Sequence, residues 1–233
     1  DALGTGHAVL AARAQMGDFT GDVLVLFGDT PLLTAETMQT MLNARRRIDD
    51  PAVVVLGFRP DDPAEYGRLV TAADGGLEAI VEFKDASEIQ REIQLCNAGI
   101  MAIDGNHLFS LLDAVTNENA NGEYYLTDIV AVARERGLSC AVVEAVDPVE
   151  VMGVNNRTQL AEAEAAMQLR LRDRQLDVLA RHWRRRGLAA GAQLRVLCAH
   201  ENPRRARESE ARVRIRGART TYVMWGRGGD HMH

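Results

Sequence analysis

The sequence predicts an α/β fold on a mixed, mostly parallel sheet, and three observations lead there. Apolar runs such as Val23 to Phe27 lack polar alternation, as strands covered on both faces do. These runs alternate with segments of helical spacing, the rhythm of a doubly wound sheet. The step Asp74-Gly75-Gly76 between two short β-rich segments inserts a hairpin, which makes the sheet mixed.

The elements follow in order. His7 to Met16 carries alanines at helical spacing and reads as a first helix. Val23 to Phe27 is the first strand, after which Gly28 permits a sharp turn and Asp29 emerges at the carboxyl end. In open α/β sheets, ligands bind at that edge. Asp29 could instead cap the next helix, Ala35 to Arg47, but Thr34 lies closer to its apolar periodicity and is the better cap. That helix ends in a basic turn suited to its dipole. Ala52 to Gly57 is a second buried strand, followed by the loop RPDDPAEYG ending in Gly67. Arg68 to Thr71 and Leu77 to Glu82 form the hairpin. The alternation then resumes with a strand at Cys96 to Ile103, helices at Asn106 to Val115 and Thr127 to Arg136, and a strand at Ser139 to Val146.

Residues 1–157 thus form the sheet domain, 158–186 a long connecting helix with Leu160, Met167, Leu171 and Val178 at compatible spacings, and 187–233 an arginine-rich tail. Within the tail, Arg212 to Arg216 alternates apolar and basic residues as a half-exposed strand would. The net charge of -6 gives no global reason to expect nucleic acid or an anionic membrane as partner. A basic arm for RNA or acidic partners is the lesser reading of the tail. Cys96, Cys140 and Cys198 are widely spaced and lack CxxC pairing, which favours a reducing cytosol. No run is long enough to span a membrane, and DALGTGHA does not read as a signal peptide. His231 and His233 read as part of a terminus rather than as a metal site.

Six motifs carry chemistry, each with a plain structural alternative. LGTGHA brackets a helix start with glycine and offers free N–H groups to an anion or base edge, or else Thr5 is only its cap. In AEYGR, Gly67 allows close approach to a ligand or serves an ordinary turn. VEFKDA sets Glu82 and Lys84, the one lysine of the chain, on the same side of an extended segment, to meet sugar hydroxyls and a phosphate or to form a solvated ion pair. CNAGIMAID starts an apolar strand with Asn97, whose amide needs partners. GEYYLTDI and MGVNNR place Tyr125, Thr127, Asn155 and Asn156 beside helix starts, where Thr127 and Asn155 would by default be caps.

Taken together, FGDTPLL, AEYGR, VEFKDA, CNAGI, NGEYYLTDI and GVNNRTQL resemble, in order and spacing, the uridylyltransferase domain of the bifunctional bacterial enzyme that makes UDP-N-acetylglucosamine. The resemblance covers roughly residues 1 to 175. It implies a Rossmann-like nucleotidyltransferase fold, with uridylyl passing from UTP to N-acetylglucosamine 1-phosphate and Mg²⁺ required. It further implies that Asp29 and Asn155 bind the metal and that Gly4 and Thr5 contact uracil. Phe27 and Gly28 would contact the nucleotide, where family members often have Tyr-Gly. Gly67, Glu82 and Asn97 would hold the N-acetylglucosamine moiety, with Tyr125 and Thr127 near its phosphate.

The pattern departs from that family at both ends. The family opens with a strand and a GxGTRM loop followed by lysine, and the sequence as given starts after them. Its carboxyl end shows no hexapeptide repeat of the acetyltransferase β-helix through which the family trimerises. The expectation is therefore a fold lacking its first strand and glycine-rich loop, with little or no transfer activity.

Overall fold

The computed structural model describes residues 3–73, 75–185, 195–196, 210–214 and 222–225. They divide into two compact units, Asp1–Gln168 and Leu169–His233. The first unit holds β1 (Asp22–Val25), β2 (Val53–Phe58), β3 (Arg68–Thr71), β4 (Leu77–Val81), β5 (Cys96–Asp104) and β6 (Cys140–Glu144). Its helices are α1 (Thr5–Leu10), α2 (Arg13–Met16), α3 (Ala35–Arg45), α4 (Glu88–Arg91), α5 (Gly105–Leu112) and α6 (Ile129–Glu135). A long helix, α7 (Arg157–Arg185), begins in this unit and ends in the second.

The strands form one six-stranded sheet in the order β4-β3-β5-β2-β6, with β1 also on β5. The mixed α/β architecture matches the sequence pattern. β2 is buried along its whole length, and its side chains divide by the two-residue period of a strand. Val53 and Val55 enter one core with Leu108, Leu111, Ile129 and Val130, from α5 and α6. Val54, Leu56 and Phe58 enter another with Met41, from α3. Two cores on opposite faces make a three-layer α/β/α unit.

The directions are less regular than the strand-helix rhythm suggests. β1, β2, β3 and β6 share one direction, but β5 runs antiparallel to β1, β2 and β3, and β4 opposes β3. The β1-α3-β2 and β4-α4-β5 crossovers thus run in opposite senses. Two helices between β5 and β6 return the chain to the first direction. As a result, the amino end of β5 lies at the same sheet edge as the carboxyl ends of β2 and β6, since Cys96 pairs with Phe58, and Glu144 with Gly57.

Two expectations at the start of the chain are corrected. The run Val23 to Phe27 is not a strand covered on both faces: β1 is shorter and half-buried, and Leu26 is 47% exposed. β1 pairs only with β5 among the described strands, so its other edge has no neighbour to carry covering structure. Nor is His7 to Met16 one helix. The chain breaks into α1 and α2 at Ala11-Ala12, where Ala12 N–H turns back to Val9 O at 3.0 Å in the tighter i→i−3 pattern. Asp74 lies outside the described residues, but the neighbouring turn has the expected chemistry, with Gly75 at φ 85°.

The basic turn of α3 does more than complement a dipole. Arg45 is buried, and its guanidinium reaches Asp104 at 2.6 Å and Asp22 at 3.3 Å, tying the helix to the end of β5 and the start of β1. Its Nε is off hydrogen-bond geometry, so the Asp22 contact is coulombic. Asp104 also caps α5 by accepting from Asn106 N–H.

In the second unit, β7 (Arg195–Val196), β8 (Glu210–Arg214) and β9 (Tyr222–Trp225) form a three-stranded antiparallel sheet, which includes part of the alternating arginine stretch. Cys198, His231 and His233 lie outside the described residues. No helix among the described residues is long and apolar enough to cross a membrane.

Replacing Arg45 by Met leaves Asp22 and Asp104 without their shared buried cation, so unfolding free energy is expected to fall by about 3–5 kcal/mol in urea titrations. A loss below about 1 kcal/mol would show that the ion cluster is not a structural tie.

Candidate functional site

The loop at the start of the chain is stitched to the loop before α6. Tyr124 N–H donates to Leu3 O and Gly6 N–H to Tyr124 O, both at 2.8 Å. Gly4 takes φ 104°, and a Cβ there would fall 2.6 Å from the Tyr124 carbonyl oxygen, so backbone strain and space both require glycine. Thr5 does not cap α1. Its hydroxyl instead accepts from Leu126 N–H at 3.0 Å, which sets Thr5 beside Tyr125 and Thr127.

Thr127 is likewise no cap. Its buried hydroxyl donates to Glu82 Oε1 at 3.2 Å. Glu82 sits just past β4, next to Gly67, where an added Cβ would lie 3.3 Å from Glu82 Oε2. Gly67 O in turn accepts from Asn97 N–H at 2.8 Å, and the Asn97 side-chain oxygen accepts from Gly99 N–H at 2.9 Å, which answers the question of that amide's partner. Gly99, at φ 81°, leaves space for the Phe27 ring, which would stand 3.0 Å from a Cβ there. Gly67, Glu82, Asn97, Thr127 and Phe27 thus form one connected set, reached from Thr5 through Leu126.

A cleft of about 270 Å³ adjoins this set at Thr5 and Glu82, lined also by Glu65, Lys84, Glu123 and Tyr125 among others. Glu82 and Lys84 do not form the solvated ion pair of the plain alternative. Glu82 is half-buried on Thr127, and Lys84 donates to the Asn121 side-chain oxygen at 3.2 Å. Burial pushes the Glu82 carboxyl above the ordinary carboxylate range. The Thr127 hydrogen bond opposes this shift and nearby Asp85 adds to it. Burial raises the Tyr125 phenol too, with Asp85 and Glu82 next.

Asp29 and Asn155 are both exposed, on the loops after β1 and before α7. Val154 N–H donates to Asp29 O at 2.8 Å, so two segments distant in sequence run side by side. Asn155 is not the cap of α7. Asn156 is, since its side-chain oxygen accepts from Gln159 N–H at 2.9 Å, while the Gln159 side chain accepts from Asn155 N–H at 2.7 Å. Gly28 keeps an ordinary φ with open space at its Cβ position, so the turn there does not demand glycine. No cluster of three or more His, Cys, Asp or Glu fit for a metal exists among the described residues. One carboxylate and one amide oxygen on adjacent loops nevertheless suit Mg²⁺, which retains waters and takes few protein ligands.

Some contributors escaped the sequence reading. Arg68 is buried and donates to the carbonyls of Pro63, Ala64 and Tyr66, which fixes the loop before Gly67. Its pattern position at a strand start marks neither burial nor partners. Asn121 and Glu123 border the cleft from a loop in which they read as surface polar residues.

No family model matches the chain. Curated relatives do: a protein named bifunctional protein GlmU from Paramagnetospirillum magneticum is 60% identical over 177 residues, which is 76% of this chain and 39% of the relative. Proteins of the same name from Rhodospirillum rubrum and Maricaulis maris are 59% and 57% identical over 175 and 169 residues. Over the matched stretch, the chain is a homologue of these GlmU proteins. It spans about two fifths of the length of these relatives, 39% for the first two.

The raised Glu82 carboxyl has a measurable consequence. Its contribution to stability is full below the ordinary value of 4.5 and is lost as pH rises through the higher folded value. Glu82→Gln removes that loss, so the melting temperature of the variant relative to the parent is expected to climb between about pH 4.5 and about pH 7. An identical difference at both ends of the series would refute the burial argument.

Proposed function

We propose that this chain carries the sugar-nucleotide-forming site of its relatives: uridylyl transfer from UTP to N-acetylglucosamine 1-phosphate, giving UDP-N-acetylglucosamine and pyrophosphate. In the cell this would be a cytoplasmic step towards envelope precursors. The observation that carries the reading is the bond from Val154 N–H to Asp29 O, which joins the two loops bearing the proposed metal ligands.

The chemistry asks little of a base. The nucleophile is a phosphate oxygen, already anionic at neutral pH, so positioning and charge neutralisation dominate. Asp29 and Asn155 would hold Mg²⁺, which when bound supplies positive charge towards the α-phosphate. Gly4, Thr5, Phe27 and Gly28 face the nucleotide in this reading. Glu82 and Asn97 accept from and donate to the sugar, and Gly67 lets it approach. Tyr125 and Thr127 lie near its phosphate.

A second reading, binding of UDP-sugar without turnover, is favoured by the charge of the cleft. Lys84 is the one cation among its lining residues, against the carboxylates of Glu65, Glu82 and Glu123. Such a lining suits sugar hydroxyls better than a triphosphate.

Calorimetric titration of the 233-residue chain with UDP-N-acetylglucosamine is expected to show binding that tightens with Mg²⁺, with the Mg²⁺ increment absent in Asp29→Asn. No binding at millimolar ligand would overturn both readings. Product formation from UTP by the same chain separates them: turnover supports transfer, and its absence with retained binding supports the second.

A further inference from the structure

The bond from Val154 N–H to Asp29 O is one tie between the two candidate metal-binding loops. A second tie lies nearby in Glu150, on the 3-10 turn Pro148–Val151 that leads into the Asn155 loop. Glu150 is buried, and its Oε2 accepts three hydrogen bonds from the start of α3: Thr37 Oγ1 at 2.6 Å, Thr34 Oγ1 at 2.9 Å and Thr34 N–H at 3.3 Å. No ion pair to Glu150 occurs among the described residues. Its charge is balanced instead by hydroxyls and by the positive end of the α3 dipole.

These contacts bracket the Asp29 loop. The chain leaves β1 at Val25, passes Asp29, and enters α3 at Ala35. Val154 holds the loop at Asp29 itself, and Glu150 holds its far end at Thr34 and Thr37. Both anchors belong to the short stretch that immediately precedes Asn155. α3 is in turn seated on the sheet through Met41 and Arg45, so the carboxylate links the Asn155 loop to a rigid element rather than to a free turn.

We propose that Glu150 is a positioning residue, which holds the Asp29 and Asn155 loops in the register that lets both side chains reach one divalent cation. The inference rests on the metal site of the proposed function. Glu150 does not touch the ion. A carboxylate bonded to the start of α3 acts by removing freedom from the loop, and misplacement of about 1 Å in such a site costs on the order of 100-fold.

The test uses the full chain with Mn²⁺ as probe, in the presence of UDP-N-acetylglucosamine. Affinity is read by electron paramagnetic resonance, and the loop contact by hydrogen exchange at the Val154 amide. Glu150→Ala is expected to weaken Mn²⁺ by about tenfold or more and to speed Val154 exchange by a similar factor. Glu150→Gln, whose amide oxygen still accepts from the threonines, is expected to retain most of both. Thr37→Val, which removes the shortest donor while sparing the Thr34 cap, should weaken Mn²⁺ in the same direction. Should Glu150→Ala not fold, the Gln and Val variants carry the measurement. Asp29→Ala separates the two claims: if it leaves Mn²⁺ affinity unchanged, the metal-site reading falls and this inference with it. If Asp29→Ala weakens binding but the Glu150 and Thr37 variants do not, or if Val154 exchange changes without any loss of affinity, positioning alone is overturned. A parent chain that binds no Mn²⁺ overturns both.

Discussion

The reversed central strand is the constraint on which the rest depends. β5 is nine residues long, pairs along one edge with β2, and on the other meets β1 through Asp22–Asp104 to Val25–Met101 and β3 through Arg68–Cys96. Because it runs against all three, its amino end sits where the carboxyl ends of β2 and β6 emerge. A parallel β5 would carry Asn97 to the far edge, away from Gly67 and Phe27. The register also decides spacing, since Arg68 opposes both Cys96 and Val81 and so draws the base of the β3-β4 hairpin, with Glu82, to the same edge.

What fills that edge is mostly backbone. Leu3, Tyr124, Gly67, Asn97, Val154 and Asp29 are linked by main-chain hydrogen bonds between segments far apart in sequence, and side chains add to them: Thr5 to Leu126 N–H, Glu150 to Thr34 N–H, Arg68 to three carbonyls. Loops can be held in this way at a sheet edge because each satisfied buried group avoids a desolvation cost of about 1–3 kcal/mol. The glycines follow the same logic. At Gly4 and Gly99, a positive φ coincides with a close neighbour, so flexibility is not their role.

Electrostatics divides the site. The cleft side is acidic, with Glu82 partly desolvated and its carboxyl raised, which favours hydrogen bonding to neutral hydroxyls. The loops bearing Asp29 and Asn155 are exposed, which leaves room for a hydrated cation and for phosphate oxygens. A half-buried acidic cleft and an exposed pair of loops therefore lie along one sheet edge with different solvation.

By itself the sequence determined the layer architecture, the helix cap at Thr34 and the motifs whose residues line the edge, because these rest on short-range patterns: apolar period, capping chemistry and turn glycines. It could not determine the direction of β5, since an apolar strand has the same pattern whichever way it runs. Nor could it tell a cap from a residue that bonds a distant segment at Thr5 and Thr127. A hydroxyl at a helix start has two choices of partner, local backbone or a distant segment, and only the packed sheet brings Leu126 and Glu82 within reach. The half-exposure of β1 was hidden for the same reason, because an apolar run records what a strand can bury while tertiary neighbours decide what it does bury.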